Sequence, residues 1–194
     1  MTVELELTHR ERLLEGLAES IREKGYLDTK IADIVRHART SRRTFYEHFA
    51  DKEQCFYELV KVGGALLREQ VVAAVDAGVP WDAQVDQAID AYVEALTLDP
   101  QMTLSFAREL PALGDRGSDL RREAMDRFAE MTMALVNTEE NRARGIGPIT
   151  MDQAVMLTGG INEGALRAVE RGEPLKPVAD AAKRMIRAIL RGDA

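Results

Sequence analysis

The sequence predicts an all-α protein of about nine helices. Three observations carry that prediction. Apolar residues recur at three- and four-residue spacing along every long segment, and no run alternates as a half-buried strand does. Glycine and proline gather at a few breaks: Gly78-Val79-Pro80, Pro111, and the stretch from Gly145 to Pro148. Near the N-terminus, two short periodic segments are separated by so few residues that they must meet in a tight corner, a helix-turn-helix geometry.

Each element has its own local signal. Leu13, Leu14, Leu17, Ala18 and Ile21 form one stripe of an amphipathic helix. Thr8 with Glu11 reads as its capping box and Gly25 as its stop. Tyr26 and Leu27 are then expected to pack under the next helices. Thr29 is placed to cap a second helix over about Lys30 to Ala38, with Ile31, Ile34, Val35 and Ala38 apolar. Ser41 is placed to cap a third over Arg42 to His48, with Phe45 and Phe49 turned inward. Asp51 is placed to cap a long helix from Lys52 to about Ala77, weakened or closely approached at Gly63-Gly64. Further helices are expected at about Val85 to Leu96, Pro100 to Leu110, Leu120 to Arg142, Thr150 to Arg171 and Pro174 to Leu190. The segment from Ala112 to Asp119 reads as an exposed loop. The expected division is residues 1–51 and 52–194.

The chain has 194 residues, of which 45% are hydrophobic and 30% charged, as in globular rather than disordered proteins. No stretch approaches the roughly 20 apolar residues that span a bilayer, so no membrane partner is expected. The start, with Glu4 and Glu6 and no apolar run, is unlike a secretory signal. Cys55 is the only cysteine, so no intramolecular disulfide can form, which fits a cytoplasmic protein.

The net charge of −7 is unevenly spread. From Arg36 to His48 there are four arginines (Arg36, Arg39, Arg42, Arg43) and one acid, Glu47, a net of +3. From Tyr57 onward, 16 Lys and Arg face 22 Asp and Glu, a net of −6. A local basic face can hold phosphates while an acidic body stays off a duplex. Charge alone leaves a solvated helix surface as an equal alternative.

A recognition helix lies in the major groove, its first residues at base edges and flanking donors on phosphates. Arg42 and Arg43 sit at that end, and arginine matches O6 and N7 of guanine. Ser41, Thr44 and Tyr46 offer hydroxyls, and Lys52 opens a helix whose N-terminal amides suit a phosphate. Nothing else in the chain has the pattern of a catalytic or metal site. The three histidines lack ligand spacing, no glycine-rich loop follows a strand, and no nucleophile has an evident base. The sequence therefore predicts no enzyme and no cofactor.

Residues 25–53, GYLDTKIADIVRHARTSRRTFYEHFADKE, resemble the DNA-binding region of the TetR family of transcriptional regulators, most specifically in the TFYEHFADKE string at 44–53. The resemblance covers roughly the first quarter of the chain; the rest matches only in length and helical layout. It implies an N-terminal three-helix DNA-binding domain and a C-terminal helical ligand-binding and dimerisation domain. It also implies backbone contacts to double-stranded DNA from Thr29, Ser41, Thr44, Tyr46, His48 and Lys52, and base contacts from Arg42 and Arg43; Thr40, in the turn between the two helices, is expected at the same interface. One position departs from the pattern: where the family has glycine in the turn, this chain has Arg39. A left-handed residue there costs about 1–2 kcal/mol; Arg39 either offsets it with a phosphate contact or is simply a strained surface residue.

The resemblance further implies a homodimer on a palindromic operator, paired through about 150–190, and an inducer cavity among the middle helices. Expected lining residues are Tyr92, Met102, Phe106, Phe128, Met131 and Met156, with Asn162, Arg108, Glu109 and Glu163 as polar contacts. Each apolar residue also suits ordinary core. The reading is a ligand-responsive regulator, a repressor released by a small, largely apolar molecule. The alternatives are an activator or architectural DNA-binding dimer without a ligand, and a helical enzyme or carrier with an incidental helix-turn-helix corner.

Overall fold

Helix caps set most element boundaries in this protein. The computed structural model describes residues 7–191, so the segment bearing Glu4 and Glu6 lies outside the described residues. Among the described residues there are ten α-helices and no strand. They are α1 His9–Asp28, α2 Ile31–His37, α3 Arg42–His48, α4 Lys52–Ala74, α5 Trp81–Leu98, α6 Pro100–Glu109, α7 Gly114–Val136, α8 Glu139–Ala143, α9 Met151–Arg171 and α10 Lys176–Arg191.

Thr8 and Glu11 form the expected capping box on α1, and the two bonds from Thr8 hold the Glu11 carboxyl below its usual pKa. Gly25 breaks the helix at φ 80°, a left-handed conformation glycine adopts without strain. Tyr26 is buried against Phe56, but Leu27 is 73% exposed. Ser41 caps α3 through the Thr44 amide, and Asp51 caps α4 through the Gln54 amide.

Thr29 does not cap α2. The cap position is Lys30, whose amide donates to the Asp33 carboxylate at 3.0 Å. The Thr29 hydroxyl instead donates back to the Gly25 carbonyl at 2.7 Å, closing the end of α1.

The segment expected to be a loop at 112–119 is mostly helix. A single 3-10 turn, Pro111–Leu113, leads directly into α7. A Cβ on Gly117 would collide with the Leu110 carbonyl oxygen, so the glycine that read as flexibility serves close approach. The helix expected over Leu120 to Arg142 stops at Val136. There Asn137 bonds both the amide and the carbonyl of Ile149, and Thr138 caps the short α8. The second of these changes gives ten helices instead of about nine.

The chain divides into two compact units. The first runs to Gly63 and includes Ser105–Leu120; the second comprises Gly64–Leu104 and the chain from Arg121. In the first, Leu13, Leu17, Ile21, Ile34, Phe45, Phe49 and Phe56 are almost wholly buried. Gly16 lets α1 meet α2: a Cβ there would lie 2.5 Å from the Ile34 carbonyl oxygen. Gly63 receives the Phe106 ring, which also packs edge-on against Phe56. The second unit is held by apolar clusters around Leu157 with Leu190, Leu96 with Leu175, and Ile89 with Ala182.

Candidate nucleic-acid interface and apolar cavity

The interface begins with the helical period of α3. Phe45 and Phe49 lie four apart, so both turn inward, 0% and 2% exposed. Their burial anchors α3 and leaves Arg42, Arg43, Tyr46, Glu47 and His48 on the open side. Tyr46 is 59% exposed and its ring meets Phe45 edge-on, which fixes where its hydroxyl projects.

The turn before α3 ends α2 with two reversed bonds, from the Thr40 amide to the Val35 carbonyl and from the Arg39 amide to the Arg36 carbonyl. This Schellman arrangement needs a left-handed residue between them. Arg39 supplies it at φ 49°, the one non-glycine with positive φ among the described residues.

The four arginines of this stretch do different things. Arg36 pairs with Glu23 at 3.2 Å, and His37 sits 3.2 Å from the same carboxylate, tying α2 to α1. Arg43 Nε donates to Glu47 one turn on, at 3.1 Å. Arg39 and Arg42 have no ion partner among the described residues and lie exposed. They carry the uncompensated positive charge of the surface. The sequence had counted Arg36 with them, because its partner Glu23 is distant in the chain.

Ser41 and Thr44 are side by side, their hydroxyls 3.0 Å apart. Thr40 is half-buried beside them. His48 closes the row, and its ring lies near that of His9 from the first turn of α1, with centroids 6.4 Å apart. His9 had no evident role in the sequence; only the fold brings it to this edge.

Two expected contact residues are placed otherwise. Thr29 is 1% exposed with its hydroxyl donated to Gly25. Lys52 reaches inward, its ammonium donating to the Tyr26 and Thr29 carbonyls, both at 2.8 Å. It also lies 4.2 Å from the centre of the Tyr26 ring. Burial holds this ammonium below its usual pKa. In this conformation Lys52 clamps the end of α1 instead of presenting a free cation.

The second unit holds a half-open cavity of about 110 Å³. Tyr92, Phe128 and Met131 lie on its wall, the first two edge-on at 6.1 Å. Asn162 stands just behind, accepting the Tyr92 hydroxyl at 3.1 Å. Met102, Phe106 and Met156 are not on the wall, nor are Arg108, Glu109 and Glu163. Phe106 belongs to the core of the first unit, and Met156 is 74% exposed. Trp81, Val85, Ile146, Leu157, Ile161 and Ile186 also line it and were not among the expected lining residues. Apolar spacing marks a buried stripe without telling core from cavity wall.

Cys55 is wholly buried, and desolvation pushes its thiol up to about 12, so it is held as a protonated thiol. Among the described residues no group of His, Cys, Asp and Glu could hold a metal ion, and no helix is long and apolar enough to cross a membrane.

Residues 13–59 match the sequence model of the bacterial regulatory proteins of the tetR family. Over this stretch the chain is similar to the family's DNA-binding region. The whole chain is similar in fold to solved TetR-type regulators. A transcriptional regulator from Rhodococcus sp. Rha1 is 21% identical, with a TM-score of 0.74 over 95% of this chain and 97% of that one. The fatty acid degradation regulator FadR from Bacillus halodurans is 14% identical, with a TM-score of 0.73 over 96% and 97%. The regulatory protein TetR from Rhodobacter sphaeroides is 19% identical, with a TM-score of 0.72 over 91% and 97%. No curated protein matches the chain in sequence. The chain thus has the fold of these regulators, and the family-matched stretch spans α1 to the first turns of α4.

Proposed function

We propose that this protein is a homodimeric, ligand-responsive transcriptional repressor, released from a palindromic operator by a small, largely apolar molecule. The observation that carries the reading is the exposed row on α3 and the turn before it. Arg39 and Arg42 are uncompensated there, Arg43 is fixed by Glu47, and Ser41, Thr44, Tyr46 and His48 lie alongside. In this reading Arg42 and Arg43 meet guanine edges while the hydroxyls, His48 and Arg39 hold phosphates.

Dimerisation is assigned to α9 and α10. Met156 is exposed on α9, Gly159 and Gly160 have open space where a Cβ would go, and Met185 is 40% exposed on α10. Small residues beside exposed methionines suit close helix packing against a second copy.

Ligand response is assigned to the cavity of the second unit. Helix α4 gives Phe56 to the core of the first unit and Val71 to the cavity wall of the second. A ligand that fits the wall better in one setting of α4 than in another shifts the population between DNA-competent and DNA-incompetent dimers.

The test is capture of genomic fragments by the purified protein at moderate and high salt, beside the double variant Arg42→Ala, Arg43→Ala. A palindromic sequence enriched by the parent and lost by the variant is the expected result. Bulk DNA held equally by both, and released steeply by salt, would mean phosphate binding without readout and would sink the proposal.

A further inference from the structure

The polar groups on the cavity wall are unequally available, and this narrows what the cavity can hold. The Tyr92 hydroxyl donates to Asn162 Oδ1 at 3.1 Å. The Thr132 hydroxyl donates to the Phe128 carbonyl at 2.9 Å. The Asn141 amide nitrogen donates to the Leu135 and Val136 carbonyls at 3.3 and 3.0 Å. The Gln84 amide nitrogen donates to the Val79 carbonyl at 2.9 Å and more weakly to Ala77. In all four the donor is committed within the protein, and the capacity left over is an oxygen lone pair. Trp81 and Thr158 keep a donor each, and the Thr158 hydroxyl also accepts. No charged side chain is on the wall among the described residues. Arg68 lies over the Phe128 ring at 5.5 Å but does not line the cavity.

Such a wall offers oxygens to a donor and nothing to balance an anion. An isolated carboxylate taken into it loses its hydration and finds at most the Trp81 and Thr158 donors, with no cation to balance its charge. Size sets the second limit: a dry apolar cavity of about 150 Å³ takes benzene, so one of 110 Å³ takes at most a single ring, and only where its wall gives. Met131 gives the wall some room to adapt.

We infer that this cavity selects a small uncharged ring compound that carries one hydrogen-bond donor, of the phenol or aryl-alcohol class, and rejects carboxylates. The inference rests on reading the second unit as the ligand-sensing part of a regulator.

Trp81 is the only tryptophan and lines the cavity, so its emission reports occupancy directly. The full chain is titrated with p-cresol, with its isomer anisole, which lacks the donor, and with benzoate. Cresol is expected to bind about tenfold more tightly than anisole, the worth of one net hydrogen bond. Benzoate is expected to leave the emission unchanged. Anisole binding as tightly as cresol, or benzoate binding at all comparably, overturns the inference. Two filled variants, Ala88→Leu and Ile161→Phe, guard against loss of fold in either one. Each variant that retains its helical circular dichroism should lose the cresol response, and a response surviving in a folded variant places the site elsewhere and overturns the inference. DNA release is measured separately. Cresol binding without DNA release keeps the inference and removes the inducer reading. DNA binding with no response to any of the three probes does the reverse.

Discussion

The helix-turn-helix unit and the cavity unit fix their side chains by different means. In the first, a tightly buried apolar core is locked further by backbone contacts and hydrogen bonds: Gly16 under the Ile34 carbonyl, Lys52 on two carbonyls, and a Schellman turn through Arg39. In the second, apolar packing does most of the work and the polar groups are turned onto their own backbone. The first arrangement tolerates little change in shape and presents one geometry to a partner. The second can change the volume it encloses while its helices persist. A part that reads a rigid duplex and a part that accommodates a small molecule place these opposite demands.

The largest expected effect lies in the second unit. Leu157→Ala removes a side chain that is 4% exposed and on the cavity wall, and should cost about 2–5 kcal/mol of stability. Urea unfolding measures the loss. The same variant should accept a larger ring than the parent. Unchanged ring-size preference would break the contrast, because it would mean that the wall is as fixed as the turn.

Next comes Gly16→Ala, which adds a single methyl at the crossing of α1 and α2. The new carbon would stand 2.5 Å from a backbone oxygen and 3.0 Å from a backbone nitrogen, neither of which can swing aside. Destabilisation toward about 3 kcal/mol is expected, at the upper end for overpacking. Gly159→Ala on α9 meets nothing within 4 Å and should stabilise the helix by up to about 1 kcal/mol. Unfolding midpoints that fail to separate these two variants would remove the claim that close approach sets the first unit. Sedimentation of Gly159→Ala also checks the proposed dimer face.

Tyr26→Phe probes a smaller term. The Tyr26 hydroxyl is buried with no hydrogen-bond partner among the described residues, so its removal should stabilise by about 1–2 kcal/mol at neutral pH. Burial pushes its pKa from 10.0 to about 12, and that of the Cys55 thiol from 9.0 to about 12. The folded chain therefore keeps protons that the unfolded chain releases, and stability falls as pH rises from about 9 to 12. Lys52 acts in the opposite sense, since its lowered pKa gives stability back as pH rises toward 10.5. Tyr26→Phe should flatten the alkaline decline, read as unfolding midpoint against pH. A decline of unchanged steepness would assign it to Cys55 and other groups.

What the sequence made legible differs between the units for the same physical reason. Caps at Thr8, Ser41 and Asp51, and the inward pair Phe45 and Phe49, arise from rules that act within four residues. The inward turn of Lys52 and the pairing of Arg36 with Glu23 depend on partners 13 to 26 residues away, and periodicity does not report them. The cavity was legible only as a set of apolar stripes. Tyr92, Phe128 and Met131 reach its wall, whereas Phe106 and Met156 have the same residue character and lie elsewhere. Gly117 shows the converse error, a glycine read as a loop that instead permits a helix to start under a carbonyl.

The smallest effect is the most informative about the interface. Arg39 stands at φ 49° where glycine would carry no steric penalty. Arg39→Gly should raise stability by about 1 kcal/mol, because the left-handed penalty on a side chain exceeds the entropy glycine adds to the unfolded state. If Arg39 only decorates the surface, operator affinity will be unchanged and the strain has no return. If it holds a phosphate, affinity will fall uniformly across sequences, and the slope of log affinity against log salt will shrink by about 0.9. Arg42→Ala should instead relax the preference for one base pair and leave preferences elsewhere intact. Stability and salt slope moving in opposite directions in the one variant would identify a strained residue kept for its charge. A gain in stability with no change in slope would remove Arg39 from the interface and leave Arg42, among the described residues, as its uncompensated cation.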